Sequence, residues 1–172
     1  MKISNIKITF ILIVLIVLLG FVKCTNFTNK KIPYDKFTIN LSKVLKYKNS
    51  SIGDNTAVLN IINNLPANTH NTGIELQTEY KPYSLNLNYN SFEDILIRFK
   101  NGSFLLSSLN DVMRKNAIII FALINNLDQI NMYISNGIKI IYKRDELLKD
   151  YNSKLDEIIE NEDSLEKFIK IN

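Results

Sequence analysis

A single cysteine, Cys24, leaves no partner for an internal disulfide and no thiolate cage for a metal. A single histidine, His70, excludes paired-histidine metal sites. His70 sits among Asn, Thr and Gly with no nucleophile elbow beside it, so the triad of a hydrolase is not read here. The five glycines are scattered singly, and no phosphate-cradling loop exists. Adjacent acids such as Glu93-Asp94 and Asp145-Glu146 point different ways from a strand or helix and make no working pair. The acids of the tail (Asp156, Glu157, Glu160, Glu162 and Asp163) lack the spacing of a calcium loop. No ladder of aromatics and arginines offers bases a stacking surface. No catalytic residue, cofactor, metal or nucleic-acid partner is therefore assigned, and the chain is not read as an enzyme.

What the chain does have is one long apolar run. Residues 8–22 carry no charge and are bracketed by Lys2 and Lys7 before and Lys23 after. About 20 apolar residues span a bilayer core, with a lower limit near 17. Ile6, with Lys7 snorkelling to the headgroups, brings this run to that limit. A cleaved signal peptide needs small residues after the apolar stretch. Here Gly20 is followed by Phe-Val-Lys-Cys-Thr-Asn-Phe and the first alanine is Ala57, so the run reads as an uncleaved anchor, residues 1–23. The alternative is a lipoprotein acylated at Cys24, against which Lys23 stands where a small residue is needed. Lys2 and Lys7, with no acid before Asp35, favour a cytoplasmic N-terminus. The expectation is a single-pass protein of the cell membrane with its domain facing outside.

The formal net charge of +4 is unevenly placed. Residues 24–50 hold six lysines against Asp35 and read as a basic stem or linker, suited to lipid headgroups more than to nucleic acid. Leu41, Val44, Leu45 and Tyr47 within it can make one short helical face. Residues 51–172 carry twelve basic against sixteen acidic side chains and are long enough for one domain with a core.

In that domain Ala57, Val58, Ile61, Ile62 and Leu65 recur at helical spacing, and Pro66 stops the helix. Ile74, Leu76, Thr78 and Tyr80 alternate with Glu75, Gln77 and Glu79. After Lys81-Pro82, Leu85, Leu87 and Tyr89 alternate with Asn86, Asn88 and Asn90, which predicts an antiparallel hairpin with one wet face. Residues 95–99 and 104–106 about Asn101-Gly102 suggest a second hairpin with a type I′ turn. Residues 111–127 read as a helix capped by Asp111 and hidden on most sides. A third hairpin is expected over 130–134 and 138–142. Helices follow, with Ser153 and Asp156 as one capping pair and Asp163 or Ser164 opening the last. The sum is α+β, an antiparallel sheet with helices packed on one face, preceded by the transmembrane anchor.

Two polar patches stand out as candidate sites. Gly53, Asp54, Asn55 and Thr56 form a possible binding loop at a helix N-terminus, where free N–H groups attract anions, though an ordinary cap needs the same residues. Glu75, Gln77, Glu79, Asn86 and Asn88 form a possible docking face, with a plain solvated face as the alternative.

These pieces resemble a known family. The residues that carry the likeness are Gly53-Asp54-Asn55-Thr56 with Leu65-Pro66, Glu75 to Thr78 with Pro82-Tyr83, and Asn88-Tyr89. Asn116-Ala117, Phe121 to Ile124, Asn126 and Arg144 to Leu147 with Tyr151 complete them. Together they resemble the bacterial domain-of-unknown-function family number forty-eight twenty-five over residues 47–171, with an insertion about Gly102-Ser103-Phe104. The resemblance implies a membrane-tethered bacterial protein, some relatives being attached to sensory regulators, and supplies no catalytic or ligand residues. The functional expectation is an extracytoplasmic module that binds or senses a protein partner or envelope ligand. A structural tether without a ligand, or a hydrolase using Asp156, Glu157 and Glu160, is the alternative.

Overall fold

Strand pairing in this protein does not follow chain order, because two of its strand contacts are parallel. The computed structural model describes residues 35–149, 151 and 155–171; the run 8–22, Cys24 and Ser153 lie outside them. Among the described residues no helix is long and apolar enough to cross a membrane.

The described residues open with β1 (Asp35–Thr38), α1 (Leu41–Leu45) and α2 (Asn55–Asn63), followed by β2 (Asn71–Gln77) and β3 (Ser84–Tyr89). Next come β4 (Asp94–Arg98), β5 (Phe104–Ser108), the long helix α3 (Leu109–Leu123), β6 (Gln129–Ile134) and β7 (Lys139–Lys143). Short helices α4 (Arg144–Leu147), α5 (Leu155–Ile158) and α6 (Glu162–Lys170) close it. The class is α+β, but the single antiparallel sheet expected from the sequence is replaced by two mixed sheets, ordered β1-β4-β5 and β2-β3-β6-β7.

The physical reason is the connection. Strands joined by a connection too short for a crossover must pair antiparallel, as β2–β3, β4–β5 and β6–β7 do. Between β3 and β6 the chain leaves the sheet through β4, β5 and α3. It returns to the starting end, so β6 lies parallel to β3, with Leu85 beside Ile130 and Leu87 beside Met132. β1 likewise joins β4 in parallel.

Residues 35–50 of the stem expected over 24–50 therefore belong to the folded domain. β1 is a strand of the first sheet, and Ile39, Leu41 and Val44 are buried in the common core. Leu41 and Val44 are three apart on α1, so one side of even a five-residue helix reaches that core. The core joins the inner faces of both sheets to α2 and α3. Every residue of α3 from Asn116 to Leu123 is buried, as the all-round apolar pattern requires.

Three local expectations are corrected. Helix α3 is capped by Ser108, whose Oγ accepts the Asp111 N–H at 3.3 Å and donates to Asp111 Oδ2 at 3.0 Å, so Asp111 answers the cap from inside the first turn. The last helix is capped by Asn161, whose Oδ1 accepts the Ser164 N–H at 2.9 Å. The Asn101-Gly102 turn is a three-residue loop and not type I′, and the tight hairpin turn at Asn136-Gly137 has the same form. Only the glycines, Gly102 (φ 83°) and Gly137 (φ 91°), are left-handed, and each donates its N–H to the residue three before it.

Candidate functional site

Register divides the four-stranded sheet into an apolar face on the core and a polar face, on which Ser84 and Asn131 are themselves buried. The rows Ile74-Leu87-Met132-Ile140 and Leu76-Leu85-Ile130-Tyr142 face the core. The intervening rows are Glu75-Asn86-Asn131-Ile141, Gly73-Asn88-Tyr133-Lys139 and Gln77-Ser84-Gln129-Lys143. Asn131 Nδ2 donates to Asn86 Oδ1 at 2.7 Å, and Gln129 Nε2 donates to Asn131 Oδ1 at 2.8 Å, so a chain of amides runs across the two central strands. Glu75 and Gln77 are exposed on the β2 edge; Lys139 and Lys143 are exposed on the β7 edge, flanking the exposed Ile141. Lys139 Nζ stands 5.2 Å from the centre of the Tyr133 ring. Lys143 bonds Glu146 at 2.9 Å, which raises its pKa from the ordinary lysine value.

The structure thus brings Glu75, Gln77, Asn86 and Asn88 onto one face but not Glu79, because β2 ends at Gln77 and Glu79 lies in the exposed loop before Pro82. Sequence reasoning missed Gln129, Asn131 and Tyr133. Their alternation with Ile130, Met132 and Ile134 was legible; that β6 lies beside β3 was not. Such an array of amide donors and acceptors, acidic at one edge and basic at the other, is fitted to hydrogen-bond an extended polar ligand. It holds no nucleophile and base in contact.

The other candidate does structural work. Asp54 caps α2, its Oδ1 accepting the Ala57 N–H at 2.9 Å, while its own N–H bonds Ser51 O. Gly53, Asn55 and Thr56 are exposed around it. The side chain answers one N–H of the first turn, which is what an ordinary cap does.

His70 Nε2 lies 2.6 Å from Asp35 Oδ2, close but off the line of a hydrogen bond, and its ring stacks on Phe92 at 4.6 Å. Asp156, Glu157 and Glu160 are exposed on and after the one-turn helix α5. Among the described residues no cluster of three or more His, Cys, Asp or Glu side chains is placed to hold a metal. An open groove of about 840 Å³ runs along the end of the sheet, floored by Pro82, Asp128, Gln129 and Arg144.

Arg144 explains that groove's floor. Its Nε donates to Leu127 O at 2.6 Å, and one terminal nitrogen donates to Phe121 O at 2.8 Å and to Ile124 O. The cation therefore stands on the carbonyl end of α3, where the helix dipole is negative, with its Cζ 5.0 Å from the centre of the Phe121 ring. Burial lowers its pKa, while Asp128 acts in the opposite direction. Lys115 does the same for the last helix, donating to Ile169 O at 2.8 Å, and burial lowers its pKa as well. Asn116, 2% exposed, donates to Pro66 O at 2.8 Å, and Asn126 Oδ1 accepts the Ile52 N–H at 2.8 Å. These polar residues hold distant segments of the fold together.

Residues 44–145, more than half the chain, match the sequence family described as Domain of unknown function (DUF4825). No curated protein and no solved structure matches the chain.

Proposed function

We propose, given that this chain belongs to the DUF4825 family of domains of unknown function, that it is a membrane-anchored module whose extracytoplasmic domain binds a protein or envelope ligand on the polar face of its four-stranded sheet. The observation that carries the reading is the amide chain Gln129–Asn131–Asn86, bordered by Glu75 and Gln77 on one edge and by Lys139 and Lys143 on the other. The apolar run at residues 8–22 supports the anchor, and its flanking lysines support the orientation.

Two measurements test it. A membrane-impermeant maleimide should label Cys24 on intact cells; labelling only after lysis would put the domain inside. A photo-crosslinking residue in place of Asn88 or Glu75 in the full chain should give one discrete adduct in the host membrane, with none from Asp156. Equal yields from Asp156 would move the site off this face. A structural tether is the second reading, favoured by one observation: Asp54, Asn116, Asn126 and Arg144, all within the residues that carry the family resemblance, hydrogen-bond the fold itself. Silence at every crosslinking position would leave that reading in place.

A further inference from the structure

We propose that the outer face of the three-stranded sheet lies on an anionic lipid surface, with Phe104 and Leu106 among the headgroups and Lys36, Arg98 and Lys100 on the phosphates. The proposal rests on the reading of residues 8–22 as a membrane anchor.

Register puts the groups together. Lys36, Leu96 and Leu106 form one row across β1, β4 and β5, and Thr38, Arg98 and Phe104 form the next. The opposite face carries Ile95 and Ile97, 1% and 2% exposed, and belongs to the core. The outward face is where polar side chains are expected, yet Phe104 is 57% and Leu106 46% exposed. The Arg98 guanidinium stands 5.7 Å from the Phe104 ring centre, so cation and apolar surface form one unit. Lys36, Arg98 and the turn residue Lys100 are all exposed. Asp94, paired with Ser108, and Asp111, bonded by Ser108, lie at the other end of the strands, while Glu166 near the Arg98 end is bonded by Asn101 and Lys170, so the face tilts with its Arg98 end toward the lipid.

Chain length selects the occupant. β1 is the first strand of this sheet, and only residues 23–34 separate it from the apolar run. Twelve residues reach at most about 40 Å when fully extended. A tether that short raises the effective concentration of surface at the sheet to the millimolar range, so a weak contact is enough. Basic side chains beside an exposed aromatic match anionic headgroups.

The chain has no tryptophan, so Phe104→Trp installs a single reporter. The full-length variant is reconstituted into phosphatidylcholine vesicles with and without phosphatidylglycerol, using lipids brominated on the acyl chains near the headgroup. Roughly twofold or greater loss of indole emission is expected with phosphatidylglycerol, with less loss in neutral vesicles or high salt. Adding Lys36→Glu and Arg98→Glu should abolish the loss without releasing the chain from the vesicles. Chain that floats with vesicles while its indole stays unquenched and open to iodide overturns the face and leaves the anchor standing. Chain that does not float overturns both. An emission change that follows protein concentration and ignores bromination would put a second copy there, and would also overturn the proposal.

Discussion

Arg144→Met is expected to lower folding stability by about 3 kcal/mol, measured as a fall of roughly 10 °C in the midpoint of a circular-dichroism melt. The guanidinium serves the carbonyls of Phe121, Ile124 and Leu127, where α3 ends in the core. A helix leaves its last carbonyls without partners, and here one planar cation answers them with charge-assisted bonds. Methionine fills similar space but strands those oxygens beside buried Leu123, Ile124 and Leu127. Arg144→Lys should recover about half the loss, because one ammonium keeps the charge on the dipole but cannot span three diverging carbonyls. A methionine variant that melts within a degree or two of the parent would show that water replaces the arginine, and the capping role would be discarded.

Asn116→Asp should be as severe at neutral pH, about 3–5 kcal/mol, and should become mild in acid. Asn116 is 2% exposed, and its amide nitrogen donates to Pro66 O at 2.8 Å. A carboxylate there would set two acceptors against each other in a dry site. A protonated carboxyl could still donate to Pro66 O. Burial and the facing carbonyl both raise the folded-state pKa of the new acid above its unfolded value near 4. The sign follows: the variant holds its stability below about pH 4 and loses it as pH climbs through the raised folded pKa. Urea midpoints collected from pH 4 to pH 8 should therefore fall for Asn116→Asp and stay comparatively level for Asn116→Leu. A flat profile for the aspartate would mean that water reaches the site.

How much of this was legible before the fold varies by residue. The helix over 55–63 was written in the spacing of Val58, Ile61 and Ile62, and its cap in Asp54. The hairpin faces were written in the alternation of Leu85 and Leu87 with Asn86 and Asn88. The strand β1 was not, because Asp35-Lys36-Phe37-Thr38 is only four residues long and its lysine resembles its stem neighbours. Ser108 was passed over for Asp111 as the cap because either side chain suits that position, and only the backbone decides where the helix begins. Half of the candidate docking face came from β2 and β3; the other half, Gln129, Asn131 and Tyr133, waited on the position of β6.

The sequence by itself determined most of the local geometry: helix or strand for every longer segment but not for β1, which side of each is dry, and where chains turn at Asn-Gly. Those properties depend on neighbours two to four residues apart, which the sequence displays directly. Only the tertiary structure decided that β6 lies parallel to β3, that β1 joins β4, and that Asn116 and Arg144 bond carbonyls 50 and 17 to 23 residues away. Those pairings are settled by how a long excursion through α3 closes on the sheet and by which buried polar groups still lack a partner. Side-chain periodicity does not encode either, because each depends on atoms brought together only when the whole core has formed.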